Sequence, residues 1–171
     1  MAELTPQDRL QPALLDRLTD EEPDAKIESR EKRVISVRKL RECVLRDLAW
    51  LLNTTPLGQT EDLADFPQAR QSAIDFGMVD LAGVTLSGLD AGELEQRIRD
   101  AIRRFEPRIL GKTLKVRAVF PDDPEHRNVL AFEIEGELWG QPMPTALYLK
   151  SEIDLEDGTM TVAERAGAGP S

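Results

Sequence analysis

The sequence predicts an α+β fold, an antiparallel sheet of three to four strands covered by two main α-helices and preceded by an N-terminal helical and charged arm. Three observations carry that expectation. Apolar residues recur at helical spacing in two long segments, the period changes to two after Gly111, and short turn-like connections separate the segments of period two. With 171 residues, 40% of them hydrophobic, the chain can bury one core but hardly two. The expected division is a docking segment and charged linker over 1–33, a single domain over 34–165 and a disordered tail over 166–171.

The arm opens with PALLDRLTD (12–20), where Pro12 suits a first helical position and Leu14, Leu15 and Leu18 form one apolar face. A helix this short is not stable alone, so its leucines should dock on the main domain or on another chain. DEEPDAKIESREKR (20–33) has ten charged residues in fourteen and reads as a solvated linker or frayed helix.

The first strong helix is SVRKLRECVLRDLAWLL (36–52). Ser36 is its N-cap, Val37, Leu40, Val44, Leu48 and Leu51 form the stripe, and Leu45, Trp50 and Leu52 broaden it. Cys43, the single cysteine, lies among these apolar residues and reads as a small core side chain rather than a nucleophile. Residues 53–70 read as a long connection, and 71–92, broken by four glycines, as irregular chain wrapped over the core. The second helix starts at Asp90, with Glu93 completing a capping box, and presents Leu94, Ile98, Ala101, Ile102 and Phe105 until Pro107 stops it. Strands follow at TLKVRAVF (113–120), VLAFEIEGELW (129–139) and ALYLKSEIDL (146–155). An Asp157-Gly158 turn then leads into TMTV (159–162). Successive strands with short connections make an antiparallel meander, whose apolar face the two helices must cover.

Composition removes several function classes. The net charge of −10 makes nucleic acid and anionic membrane poor partners for the chain as a whole, although local basic patches remain open. No apolar run approaches the ~20 residues of a membrane span, and the N-terminus lacks the pattern of an export signal, so a cytoplasmic location is expected. The lone cysteine fits a reducing compartment. His126, the only histidine, lies in a charged turn region and reads as a solvated loop residue. Zinc sites of several histidines, thiolate clusters, Gly-rich phosphate loops and the Gly-x-Ser-x-Gly elbow are all missing, so no cofactor is expected.

RRFEPRIL (103–110) places Glu106 at a helix C-terminus, where the macrodipole disfavours an acid by about 0.3–1 kcal/mol. Proline after Glu106 should turn 106–108 out of the helix into extended chain, with Glu106 and Arg108 projecting together as a stiff, outward pair of charges. An internal salt bridge is the competing reading. A third is a peptidoglycan hydrolase with Glu106 as general acid, which requires an apolar pocket around it. Arg108 argues against this, since a neighbouring guanidinium favours the ionised form of an acid.

FEPRIL (105–110) resembles the Glu-Pro-Arg signature of the contractile-phage baseplate wedge family once labelled lysozyme-like, which includes the TssE branch of type VI secretion baseplates. RDLAWLLNT (46–54) and SAIDFGMVDLAG (72–83) are similar to two further stretches of that family, and LLDRLTD (14–20) to the type VI branch. The chain departs from the pattern at Thr55, Asp75, Phe76 and Met78-Val79. The resemblance implies a non-enzymatic wedge subunit that binds TssF, TssG and TssK and helps start the TssB/TssC sheath, at the cytoplasmic face of the inner membrane without inserting in it. It also implies that Glu106, Pro107 and Arg108 grip the neighbouring wedge subunits. Leu14, Leu15 and Leu18 are the candidate second docking element, and an unprotected edge of the meander is the candidate contact with the sheath.

Overall fold

The computed structural model describes residues 13–19, 36–82, 90–120, 129–139 and 144–165. The linker of 20–33, the His126 turn region and the tail from 166 lie outside the described residues. Five helices, α1 (Leu14–Leu18), α2 (Val37–Leu52), α3 (Leu57–Thr60), α4 (Pro67–Arg70) and α5 (Ala91–Phe105), precede four strands among the described residues. The strands are β1 (Lys115–Val119), β2 (Val129–Leu138), β3 (Thr145–Asp154) and β4 (Met160–Glu164), and a 3₁₀ turn occupies Ala73–Asp75. The sheet is the expected antiparallel meander in the order β1-β2-β3-β4.

Period two decides which face of the sheet is covered. Val116, Leu130, Phe132, Ile134, Leu147, Leu149 and Ile153 point into one core, where they meet Leu40, Val44, Leu48 and Leu51 of α2 and Leu94, Ile98 and Ile102 of α5. The opposite face is charged: Lys115 stands across from Glu135, Arg117 from Glu133, and Glu133 from Lys150. Opposite charges in register are mutually favourable and keep that face wet. Ser151, a polar residue in the core layer, is satisfied by donating to the Thr161 carbonyl at 2.8 Å.

Both helix starts are capped as the residue types require. Ser36 accepts from the Lys39 N–H, and Asp90 accepts from those of Gly92 and Glu93. The reciprocal half of the expected capping box gives way to an ion pair, because Glu93 turns to Arg97 one turn on.

The two sheet edges differ. Along β1, Glu95 of α5 accepts the Ala118 N–H at 2.9 Å and Arg99 donates to the Val116 carbonyl at 3.4 Å. Along β4, Asn53 closes only the first residue, accepting from the Met160 N–H at 2.8 Å and donating to its carbonyl at 2.7 Å. Asp154 donates to Thr159 and Arg165 to Tyr148, so odd-numbered residues of this strand face β3. Val162 and Glu164 therefore turn their main-chain groups outward, and none of the described residues caps them.

The connection after α2 is more ordered than its composition suggests, with α3, α4 and the 3₁₀ turn built into it. Asp75, buried, accepts the Gly58 N–H at 2.7 Å, and the Met78 N–H donates to the Thr54 carbonyl at 2.8 Å. Gly77 makes that close approach possible: its φ is 139°, and a Cβ there would lie 2.1 Å from the Thr54 oxygen. Gly77→Ala is expected to destabilise the chain by about 2 kcal/mol or more in a urea titration. A change below ~0.5 kcal/mol would mean that this crossing is not fixed.

Candidate functional site

Pro107 ends α5 by withholding a donor, and Glu106 becomes the C-cap, its N–H still bound to the Ile102 carbonyl at 2.8 Å. The chain then turns instead of extending. Ile109 donates to the Glu106 carbonyl at 3.1 Å, which puts Pro107 at the second position of a turn, where its fixed φ is favourable. The expected extended 106–108 is thus corrected, although Glu106 and Arg108 do come together. After the turn the chain is stitched to the end of β2: Leu110 donates to Glu137 at 2.8 Å and Trp139 to Arg108 at 2.7 Å.

The pair points inward, not outward. Glu106 is only 3% exposed, and both its carboxylate oxygens accept from Arg108, Oε1 from Nε at 2.6 Å and Oε2 from Nη2. Arg108 Nη2 also reaches Asp47 Oδ2 of α2 at 2.5 Å. An acid buried at the negative end of a helix needs such a partner, and the guanidinium fork satisfies two carboxylates where an ammonium would serve as a point charge. Burial opposes the charge on Arg108, but the hydrogen bond and charge of Glu106, then those of Asp47, outweigh it and hold its pKa above the usual arginine value. The internal ion pair is therefore the reading the geometry bears out, and it extends to Asp47. Pro107 remains exposed, and Trp139, beside the corner, is exposed as well.

The charges continue to α1. Arg46, next to Asp47, donates to Asp47 Oδ1 at 2.8 Å and to Asp16 Oδ1 at 2.6 Å, and its guanidinium lies 5.2 Å over the Trp50 ring. Asp16, Arg46, Asp47, Arg108 and Glu106 form one alternating chain of charges from the N-terminal helix to the end of α5. Cys43 is buried beneath it, and burial, followed by the proximity of Asp16, pushes its thiol pKa up. So α1 is tethered by its acid while its leucines face away: Leu14 and Leu18 are 71% and 73% exposed, and Leu15 is exposed too.

Glu106, Pro107 and Arg108 are thus brought together, and Leu14, Leu15 and Leu18 share a face joined to them through charge. Arg46 and Asp47 open the RDLAWLLNT stretch and Asp16 lies in LLDRLTD, but neither they nor Trp139 were expected as site residues. Asp47 did carry a signal, since it falls at i+3 from Val44 and i+7 from Leu40, a charge inside an apolar stripe. Trp139 carried none, because its proximity to Arg108 arises from a strand pairing 31 residues away. Phe76 packs edge-on against Phe105 at 5.2 Å, just before the corner. Among the described residues, no group of three or more His, Cys, Asp or Glu is arranged to hold a metal ion.

A family model described as baseplate wedge protein gp25 matches residues 38–143, which include Asp47, the corner and Trp139. Among solved structures, a protein from Geobacter sulfurreducens named a tail lysozyme is similar to this chain at 16% identity, over 80% of this chain and 98% of its own, with a TM-score of 0.41. No curated protein matches the chain.

The tether of α1 gives a pH dependence. Burial pushes the Asp16 pKa up, but hydrogen bonds from Arg46 and Cys43 and the Arg46 charge carry it below its ordinary 3.8. A depressed folded pKa means a contribution fully present above the unfolded value and lost as pH falls through the folded one. Hydrogen exchange corrected for pH should therefore show the Leu18 and Thr19 amides, the latter bonded to the Leu15 carbonyl, equally protected from about pH 7 to pH 5 and released below about pH 4. Asp16→Asn should release them at neutral pH, and unchanged protection in that variant would dismiss the tether.

Proposed function

Since this chain belongs to the baseplate wedge protein gp25 family, we propose that it is a non-enzymatic structural subunit of a type VI secretion baseplate wedge. The single observation that carries the proposal is the family match over 38–143, which takes in the whole Glu106 corner. In this reading the subunit meets TssF, TssG and TssK and works at the cytoplasmic face of the inner membrane through them.

In this reading the corner residues have different tasks. Glu106 is a positioning residue, folded inward to hold Arg108, while exposed Pro107, with half-buried Arg108 behind it, supplies the contact surface. A partner meeting this corner finds it already ordered, so little conformational entropy is lost on docking. Leu14, Leu15 and Leu18, all exposed, form an apolar face that suits a second contact. The uncapped Val162–Glu164 edge of β4 is the side of the sheet suited to an added strand from TssB/TssC, since α5 side chains occupy the edge of β1.

Two features oppose the peptidoglycan hydrolase reading. Both oxygens of Glu106 are occupied by Arg108, and neither the cavity beside α5 and β1 nor the one between Asn53 and Gly158 is lined by Glu106. Turbidity of purified cell walls should stay constant with both wild type and Glu106→Gln. Clearing by wild type alone would overturn the non-enzymatic assignment.

Pull-down with TssF and TssG tests the docking surfaces. Pro107→Asp and the pair Leu14→Asp/Leu18→Asp should each weaken capture; the leucine pair should shift stability by no more than ~0.5 kcal/mol, and Pro107→Asp by about 1 kcal/mol through the lost turn constraint. Arg108→Ala should abolish it. Undiminished capture with all three would remove the corner and the leucine face from the interface. For the sheath contact, new exchange protection should fall on Val162 and Glu164 when sheath protomers are added, and its absence would dismiss the β4 edge.

A further inference from the structure

A four-stranded meander has two edges, and an edge strand with free N–H and C=O groups is a template for another strand. On β1 the outward groups belong to Val116 and Ala118, and α5 reaches both residues. Glu95 accepts the Ala118 N–H at 2.9 Å, and Arg99, steadied by a bond to Gln96 at 2.7 Å, donates to the Val116 carbonyl at 3.4 Å. The match is geometric. Two residues one turn apart on a helix rise about 6 Å, and alternate residues of a strand lie about 6.7 Å apart, so Glu95 and Arg99 stand against Ala118 and Val116 as alternate residues of a neighbouring strand would. Room for such a strand exists, since an open cavity of about 390 Å³, with Glu95, Arg99 and Val116 in its lining, lies between α5 and β1.

The other edge shows what this arrangement has to stop. Val162 and Glu164 of β4 face outward, with no described residue closing them. Because the meander has an even number of strands, β1 and β4 run in opposite directions. A second copy in the same orientation therefore brings its β4 antiparallel to β1, with Glu164 opposite Val116 and Val162 opposite Ala118. Both edges offer two outward residues at one spacing, and the side chains of Val116, Ala118 and Val162 all lean on the core, so the faces of the two sheets agree. Such a contact joins unlike surfaces and leaves a free edge at each end, which makes an open row of subunits rather than a closed dimer.

We propose that Glu95 and Arg99 guard the β1 edge against β4 of a second copy, so that the chain takes an added strand at β4 alone and does not polymerise head to tail. This rests on the open β4 edge, whatever strand pairs there, and stands apart from the wedge reading.

Sedimentation velocity of the full chain at increasing concentration tests the guard. Wild type should stay a monomer. Glu95→Ala/Arg99→Ala should give species whose weight-average mass rises severalfold with concentration, while Glu93→Ala/Arg97→Ala, which removes an equal pair of charges from the same helix, should stay a monomer. Adding Val162→Pro to the first variant should return it to monomer, because the Val162 N–H points away from β3 and proline removes the donor that the second copy needs. In the associated form the Val116 and Glu164 amides should gain hydrogen-exchange protection. Far-UV circular dichroism should match for all these proteins. Should a variant not fold, Glu95→Ala replaces the double variant with the same expected direction, and the two amides locate the contact without the proline. A monomeric double variant, association of wild type or of Glu93→Ala/Arg97→Ala, association that survives Val162→Pro, or association without protection at those amides would each overturn the proposal.

Discussion

The structure depends on a guanidinium held between two acids that the sequence keeps far apart. Arg108 lies between Glu106, at the end of α5, and Asp47, in the middle of α2. Without it, Glu106 would be a buried charge facing the negative end of a helix, and Asp47 a charge set in an apolar stripe. Each would be costly alone, and removing one member of a buried pair typically costs about 3–5 kcal/mol. Together they fix the angle at which α5 leaves its last turn relative to α2. Main-chain bonds from Leu110 and Trp139 then tie the same corner to the end of β2, so one short segment joins both helices to the sheet.

That construction changes what the Glu-Pro-Arg stretch is. It acts first as an internal clasp, and its outward surface is what the clasp leaves behind: a proline at the tip of a turn and the nearby Trp139. Through Arg46 the same network reaches Asp16, so α1 is held by charge rather than by its leucines. A helix of five residues has little stability of its own, and exposed leucines on it add none in water. Its attachment and its apolar face are thus independent, which suits an element that anchors on one side and docks on the other.

Much of the fold was legible in the sequence because it follows from periodicity. The stripes of α2 and α5, the caps at Ser36 and Asp90, the change to period two after Gly111 and the Asp157-Gly158 turn are local, and each lies where the residues predict. The connection 53–82 was less legible. Its order rests on Asp75 reaching Gly58 and on Gly77 crossing Thr54, contacts across about 20 residues that leave no periodic trace. At the corner, sequence showed that Glu106 and Arg108 would meet but not which way they would face. Proline excludes helix at Glu106, but the turn that follows is closed by Ile109 and stitched to the end of β2 through Leu110 and Trp139, contacts with a distant element. The expectation of an outward pair failed for that reason.

A charge-clasped corner, a tethered helix with exposed leucines and a partly open sheet edge are three surfaces of different chemistry. The corner presupposes that Arg108 couples α2 to the end of α5. The most direct measurement is a double-mutant cycle in urea unfolding with Asp47→Ala, Arg108→Ala and the double variant. The account predicts a coupling energy of about 1.5–3 kcal/mol between the two positions. Strict additivity, a coupling within ~0.3 kcal/mol of zero, would contradict it.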